Sequence, residues 1–156
     1  MNPMPDNVLT RRVLDCAEEV HREVGPGLEA DAYKTCLAME LTKAGIPFER
    51  HCLLKPSYRG HPLELEYRMD FVIADTLVVE VEAVEEIGEI HEQRLRTYVH
   101  FGPFPMGILL NFNTVDFDDG ILGIPGIPVD VLNAPPDGVD VFDDPGRWFG
   151  QSPAGG

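Results

Sequence analysis

The stretch "TLVVEVEAVEE", residues 76–86, decides how the rest of the chain is interpreted. Successive side chains of a β-strand point to opposite faces, so residues two apart share a face. Glu80 and Glu82 therefore project from one face of the predicted strand, and Val79 and Val81 project from the other. Two carboxylates this close either face water or need a cation, because neighbouring like charges disfavour each other's ionised form.

The composition indicates one folded domain. The chain has 156 residues, 44% of them hydrophobic, which is enough for a compact domain with a core. No run approaches the roughly 18 apolar residues that a membrane span needs, and the first residues lack the apolar core of a signal peptide. We therefore expect a cytoplasmic protein with no membrane partner.

The charge balance argues against nucleic acid as the main partner. Twenty-seven acidic residues stand against 12 basic ones, which gives a net charge of −15. Proteins that bind nucleic acid use clustered Lys and Arg to displace counterions from the phosphates, and a field of this sign opposes that contact. Nucleic acid stays a candidate partner only through a local basic patch.

The first 45 residues predict two helices. Residues 7–24 and 30–44 carry apolar side chains at spacings of three and four, the pattern of amphipathic helices. In the second helix the predicted inward-facing side chains are Tyr33, Leu37 and Leu41, with Met39 as a weaker candidate.

The period then changes to two, which predicts strands. "PFERHCLLKPSY" (47–58) and "HPLELEYRMDFVIA" (61–74) read as strands joined by a turn at Arg59-Gly60, and the valine-rich strand follows as a meander. A helix over 88–101 and a buried strand over 106–112 complete the order α-α-β-β-β-α-β. This order predicts an α/β fold, a mixed sheet flanked by helices.

The C-terminal part has a different character. From Thr114 onward the chain holds eight aspartates against Arg147 alone, and proline and glycine interrupt it repeatedly. We predict a folded domain over residues 1–124 and an acidic, extended or partly disordered tail over 125–156. The short alternating segments of the tail could dock on the domain, or add a strand to the sheet edge of a second copy and form a homo-oligomer.

A second acid is expected beside the opening stretch. Asp70 lies on the strand that pairs antiparallel with the Glu80 strand through the turn near residues 74–76. Counting back from this turn places the Asp70 carboxylate opposite Glu80 or its neighbour and puts both acids within reach of a shared ion. Together with a backbone carbonyl such as that of Val81, they supply the hard oxygen ligands that suit Mg²⁺ or Mn²⁺. Metal-dependent phosphodiesterases hold their ion in this way.

Five collinear segments between residues 7 and 124 carry a resemblance to a known family. They are "EVHREVGPGLEADAY" (19–33), "AGIPFER" (44–50), "EYRMDFVI" (66–73), "LVVEVEAVEEIGEIHE" (77–92) and "GILLNF" (107–112). In this respect the chain resembles the GxxExxY proteins, a branch of the PD-(D/E)XK nuclease superfamily. The resemblance implies that superfamily's α/β core and, for an active member, Mg²⁺- or Mn²⁺-dependent cleavage of DNA phosphodiester bonds.

The chain departs from the family pattern at three positions. Ala30 stands where the family has its glutamate, Glu82 stands where it has a lysine, and Arg94 stands where it has a glutamine, with Tyr98 retained four residues later. The lysine of such a site lowers the pKa of the attacking water and offsets charge that develops on the phosphate. A carboxylate reverses that sign, so either a metal must bind or Arg94 must pair with Glu82.

Three interpretations stay open. In the first, the degenerate site no longer supports catalysis and the protein works as a binding or assembly module. In the second, an active nuclease uses Asp70 and Glu80 to hold the ion, Glu82 as base or third ligand, and Arg94 to contact phosphate. In the third, the acids only form a structural ion-pair network with arginines, namely Arg68, Arg94 and Arg96. The candidate catalytic residues are Asp70, Glu80, Glu82, Arg94 and Tyr98.

Overall fold

The structure is a computed structural model that describes residues 8–126. Within this range there are three α-helices, α1 (Val8–Val24), α2 (Ala30–Lys43) and α3 (Glu89–Phe101). The strands are β1 (Phe48–Leu54), β2 (Ser57–Tyr58), β3 (His61–Pro62), β4 (Tyr67–Ile73), β5 (Leu77–Glu82), β6 (Met106–Asn111) and β7 (Ile121–Pro125), and a 3₁₀ helix covers Phe117–Gly120. Nearly all of the predicted acidic tail lies outside the described residues.

Five strands form one mixed sheet in the order β1-β4-β5-β6-β7. All neighbouring pairs are antiparallel except β5 and β6, which run parallel because α3 returns the chain to the starting end of the sheet. The predicted α/β class and the predicted meander of β1, β4 and β5 are confirmed. The opening stretch supplies β5, the central strand.

Helices cover both faces of the sheet. On β5, Val79 and Val81 pack against α1 and α2, where Tyr33, Leu37 and Leu41 are fully buried as predicted. On the opposite face, Val78 packs against α3. Met39 is 65% exposed, so its predicted inward orientation is wrong, because it lies on the helix face opposite to this stripe. Among residues 8–126, no helix combines the length and the apolar character needed to cross a bilayer.

Two turns agree with their predicted positions. Arg59 and Gly60 have φ values of 52° and 82°, and Ala74 and Asp75 have φ values of 50° and 60°. Two consecutive residues with positive φ match the twist of a tight antiparallel hairpin. The second turn brings β5 back alongside β4.

The predicted element order missed three short elements. The β2–β3 hairpin interrupts the connection between β1 and β4, and β7 follows the 3₁₀ helix as an edge strand whose Ile124 is buried. A β-carbon on Gly120 would lie 2.1 Å from the carbonyl oxygen of Asn111, so this close approach of the chain to β6 requires glycine. Residues up to Pro125 thus belong to the sheet rather than to an extended tail.

Asn111, at the end of β6, anchors the loop that follows β5. Its side chain is buried, accepts hydrogen bonds from the backbone N–H of Val84 (3.0 Å) and of Asn113 (3.2 Å), and donates one to the Val84 carbonyl (2.9 Å). A buried amide with its bonds satisfied holds a loop that would otherwise leave backbone groups unpaired. The position of the chain just beyond Glu82 depends on it.

We expect Asn111→Ala to lower the free energy of unfolding by about 2–4 kcal/mol, because the N–H groups of Val84 and Asn113 lose their acceptor and the Val84 carbonyl loses its shorter hydrogen bond. Urea denaturation measures the loss. Asn113→Ala is the matched control, since its side chain makes only a 3.5 Å contact with Val84, and it should cost less than about 1 kcal/mol. Equal losses in the two variants would contradict the anchoring role of Asn111.

Candidate active site

The backbone ladder between β4 and β5 stops where the two acids face each other. Phe71 pairs with Val79, and at the next position Glu80 Oε2 accepts a hydrogen bond from the Asp70 N–H at 2.8 Å. Asp70 Oδ2 accepts one from the Val81 N–H at 2.9 Å. The predicted juxtaposition of Asp70 and Glu80 is confirmed, and both carboxylates replace ladder bonds in the interior of the sheet.

Strand β4 is irregular at Asp70. Residues two apart on a regular strand share a face, but Met69 packs with α3 whereas Phe71 packs with α1 and α2. On the neighbouring strand β1, His51 has a φ of 58°, an uncommon conformation for a non-glycine residue, and it lies between the residues paired with Met69 and Phe71. The irregularity lets the Asp70 carboxylate reach towards α2.

Lys34 of α2 is the cation that meets Asp70. Its Nζ lies 2.9 Å from Asp70 Oδ1, and its side chain is only 16% exposed. A weaker contact of 3.7 Å joins it to Asp31, whose side chain is 94% exposed. The sequence reasoning missed Lys34. A signal was present, since Lys34 stands three residues before Leu37 on the helix side that is otherwise buried.

Burial and mutual charge determine the protonation of this cluster. The pKa of Glu80 is raised to about 8, first by its burial and next by the charge of Asp70. Burial lowers the pKa of Lys34, but its hydrogen bond to Asp70 and the charge of Asp70 outweigh that effect, so this pKa is raised. Burial therefore disfavours the ionised form of Glu80, which lies beside the ion pair of Asp70 and Lys34.

The outer acid, Glu82, pairs with Arg94. Arg94 Nη1 lies 3.7 Å from Glu82 Oε2, so the predicted contact between helix and strand is confirmed. The Arg94 side chain is 42% exposed, which makes this pair far more solvated than that of Lys34. Arg96 bonds to Glu92 instead, and Arg68 forms no ion pair within residues 8–126. The predicted network of three arginines is thus wrong for Arg68 and Arg96.

Tyr98 lies in the interior beneath the acids. Its side chain is buried and its ring meets the Tyr67 ring edge-on, with the centroids 5.8 Å apart. The pKa of Tyr98 is raised by burial and then by the negative charge of Glu80. The phenol therefore stays protonated. Its catalytic role remains a prediction.

A family model for the PD-(D/E)XK nuclease superfamily matches residues 7–122. The chain belongs to the PD-(D/E)XK nuclease superfamily. No curated protein and no solved structure matches the chain significantly. Membership supports a nuclease-like domain, and the three helices and the five-stranded mixed sheet agree with it.

Tyr33, one of the residues that carry the resemblance in the sequence, has several structural contacts. Tyr33 donates a hydrogen bond to the Gly25 carbonyl, accepts one from the Leu28 N–H at 3.1 Å, and stacks on Phe112 with the ring centroids 4.6 Å apart. It thereby closes the loop between α1 and α2. Glu29, beside Ala30, is exposed, and within residues 8–126 no ion pair or hydrogen bond joins its side chain to the acid pair.

Divalent metals are typical of the superfamily, but the arrangement here does not fit one as it stands. Lys34 and the Val81 N–H each engage one carboxylate oxygen of Asp70. Residues 8–126 contain no group of three or more His, Cys, Asp or Glu side chains placed to hold a metal ion. Asp70, Glu80 and the Val81 carbonyl would supply the oxygens for Mg²⁺ or Mn²⁺, and Lys34 would compete with the ion for Asp70.

Glu80→Gln should remove a pH dependence of stability. The pKa of Glu80 is raised to about 8 in the folded chain and is near its ordinary value when unfolded, so the folded state holds the extra proton between these values. Stability therefore falls as pH rises through this window. Above about pH 8, we expect Glu80→Gln to be more stable than the wild type by as much as about 5 kcal/mol, and the difference should vanish near about pH 4.

Urea denaturation across this pH range measures the effect. Glu86→Gln, a change of the same kind at an exposed position, is the control and should leave the wild-type pH profile unchanged. A Glu80→Gln profile parallel to that of the wild type would show that Glu80 is ionised in the folded chain.

The two cation partners should differ in their contribution to stability. Lys34→Met leaves the buried Asp70 carboxylate without its counter-charge, and we expect a loss of about 3 kcal/mol. Arg94→Ala breaks a longer and more exposed pair and should cost less than about 1 kcal/mol. Calorimetric melting of both variants, with Lys43→Met as a control on an exposed lysine of the same helix, tests this order. Equal losses would contradict it.

Proposed function

We propose that this chain is a PD-(D/E)XK nuclease-fold protein that no longer works as a nuclease and instead serves as a binding or assembly module. The observation that carries the proposal is the state of Asp70. One of its oxygens bonds to Lys34 at 2.9 Å and the other accepts the Val81 N–H at 2.9 Å. The carboxylate that should hold the metal is bound by groups of the chain itself.

Chemistry favours this internal pairing over a metal. A Mg²⁺ or Mn²⁺ ion needs several open oxygen ligands and usually keeps part of its water shell. Here a lysine ammonium already neutralises Asp70 in a site where both side chains are almost excluded from water. Removing that ammonium from its partner costs several kcal/mol in such surroundings, and a metal must supply that energy before it can bind.

The other departures from the family pattern support the same conclusion. We place the chain in the GxxExxY branch, since Gly27 and Tyr33 keep their positions, but Ala30 offers no carboxylate. The position of the strand lysine holds Glu82, and Arg94 satisfies that charge. A net charge of −15 opposes the approach of DNA phosphates. A protein partner, or a second copy of this chain, suits this surface better than nucleic acid does.

The alternative function is an active Mg²⁺- or Mn²⁺-dependent DNA nuclease, and one observation favours it. Lys34 places a positive charge beside Asp70 and Glu80, and that charge is the one the strand lysine would supply. In this alternative, Asp70, Glu80 and the Val81 carbonyl hold the ion, which would provide an activated water. Glu82 acts as base or further ligand, and Arg94 contacts the phosphate.

Mn²⁺ titration by calorimetry, with single-stranded and duplex DNA cleavage on the same samples, separates the two functions. The samples are the wild type, Lys34→Met and Asp70→Asn. We expect the wild type to show neither cleavage nor measurable Mn²⁺ binding. Lys34→Met should gain Mn²⁺ binding at least about tenfold, because Asp70 loses its internal cation while keeping its charge.

Other results would point to the nuclease. If the wild type binds Mn²⁺ and cleaves DNA, and Lys34→Met keeps the ion but loses cleavage, Lys34 is a catalytic cation and the proposal is wrong. Asp70→Asn must abolish any Mn²⁺ binding assigned to this site. Lys43→Met controls for the general loss of one positive charge.

A further inference from the structure

The connection between β1 and β4 presents an unusual apolar surface. Of the ten exposed large apolar residues within 8–126, four fall in one stretch of 13 residues: Leu53 (53% exposed), Tyr58 (45%), Leu63 (41%) and Leu65 (51%). The other six are dispersed along the chain. We refer to residues 50–68 as the arm; it comprises the second half of β1, the connection with β2 and β3, and the first two residues of β4.

The backbone of the arm is ordered even though its side chains are exposed. Ser57 pairs with Pro62 and Tyr58 with His61, and the Leu63 N–H bonds to the Pro56 carbonyl at 3.1 Å. Leu53 thus lies in β1, Tyr58 lies on the hairpin, and Leu63 follows the hairpin with its backbone N–H bonded to Pro56. A clustered apolar surface of this kind marks a contact site.

The arm is also the basic part of an acidic chain. It holds four basic residues, Arg50, Lys55, Arg59 and Arg68, against Glu64 and Glu66, so its net charge is +2 while that of the whole chain is −15. Lys55 and Arg68 are exposed, and within residues 8–126 neither forms an ion pair. The arm thus calls for a partner that is both acidic and apolar.

Such a segment follows the described residues in the same chain. Residues 138–149, "GVDVFDDPGRWF", combine three aspartates with five large apolar side chains, and they include the only tryptophan, Trp148. Their composition complements the arm in both charge and apolar character.

The length of chain after Gly126 favours residues 138–149 over the other alternating segment of the tail, "PVDVL" (128–132). Gly126 follows β7, the strand at one edge of the sheet. The arm follows from β1, the strand at the other edge, which is four strand spacings away. Because β1 and β7 run in opposite directions, the end of β1 and the end of β7 lie at opposite ends of the sheet. Strand spacings of about 4.8 Å and a strand length of about 20 Å place the arm roughly 28 Å from Gly126. At about 3.3 Å per residue, residue 138 reaches about 40 Å, but residues 128–132 reach no more than about 20 Å.

We propose that residues 138–149 dock on the arm of their own chain, with the aspartates against Lys55 and Arg68 and the apolar side chains over Leu53, Leu63 and Leu65. This contact covers a basic surface of the domain with an acidic segment. It does not depend on whether the acid pair of Asp70 and Glu80 is catalytic, since it involves different residues.

Carbodiimide cross-linking of the full-length protein tests the charge contact. The reagent joins a carboxylate to an amine without a spacer, and the chain has only three lysines, Lys34, Lys43 and Lys55. We expect mass spectrometry of the monomer to find Lys55 joined to Asp140, Asp143 or Asp144, with yield falling at high salt. Lys43, also exposed, is the internal control and should not join these aspartates at comparable yield.

Trp148 fluorescence tests the apolar contact independently. Leu65→Glu should shift Trp148 emission to longer wavelength and increase its quenching by acrylamide, because the docked segment leaves the arm. Met39→Glu, the same kind of change at a residue that is 65% exposed on α2, should leave both unchanged. Lys55→Glu should act like Leu65→Glu without altering the apolar surface.

Three results would overturn the proposal. The first is the absence of a Lys55 cross-link to residues 138–149, which is also expected if nucleic acid or another protein occupies the arm. The second is a cross-link found only in a covalent dimer, which would assign the contact to a second copy. The third is Trp148 emission that does not respond to Leu65→Glu.

Discussion

Two hydrogen bonds that join Asp70 on β4 to Glu80 and Val81 on β5 organise the centre of this protein. Each carboxylate replaces a backbone acceptor, Glu80 for the Asp70 N–H and Asp70 for the Val81 N–H. Two buried acids in the middle of a sheet repel each other, so the fold must neutralise them. The irregularity of β4, the position of α2 and the raised pKa of Glu80 all meet this requirement.

The cations that meet it come from helices on the two sides of the sheet, and they act with different strength. Lys34 on α2 reaches the inner acid at 2.9 Å in a site where both side chains are largely buried. Arg94 on α3 reaches the outer acid at 3.7 Å with its own side chain 42% exposed. Electrostatic attraction is screened by water, so the inner pair dominates the energetics of the cluster. Helices on both sides of the sheet thus supply the cations that neutralise the acids of β4 and β5.

Acidic and basic side chains lie at different places along β1 and β4. The acid cluster lies inside the sheet and is balanced by its own helices, whereas the arm collects basic groups and exposed apolar side chains. The strongly acidic composition beyond residue 126 is chemically suited to that surface. An internal partner for the arm would explain how a chain with a charge of −15 keeps one basic, apolar patch.

The sequence by itself determined the fold class, because periods of 3.6 and 2 report directly on which faces are buried, and the valine-rich run identified β5. It also placed Asp70 opposite Glu80 or its neighbour, since a tight turn limits the register of the two strands. Register alone could not reveal Lys34, because its partner lies 36 residues away and a single lysine on a helix gives no sign of which acid it faces. The short elements β2, β3 and β7 were missed for a related reason: two to five residues carry too little periodicity, and Ile124 is buried only because Gly120 lets the chain approach β6. Tertiary packing therefore decided how the acids are neutralised, since that depends on distances between elements remote from one another in the chain.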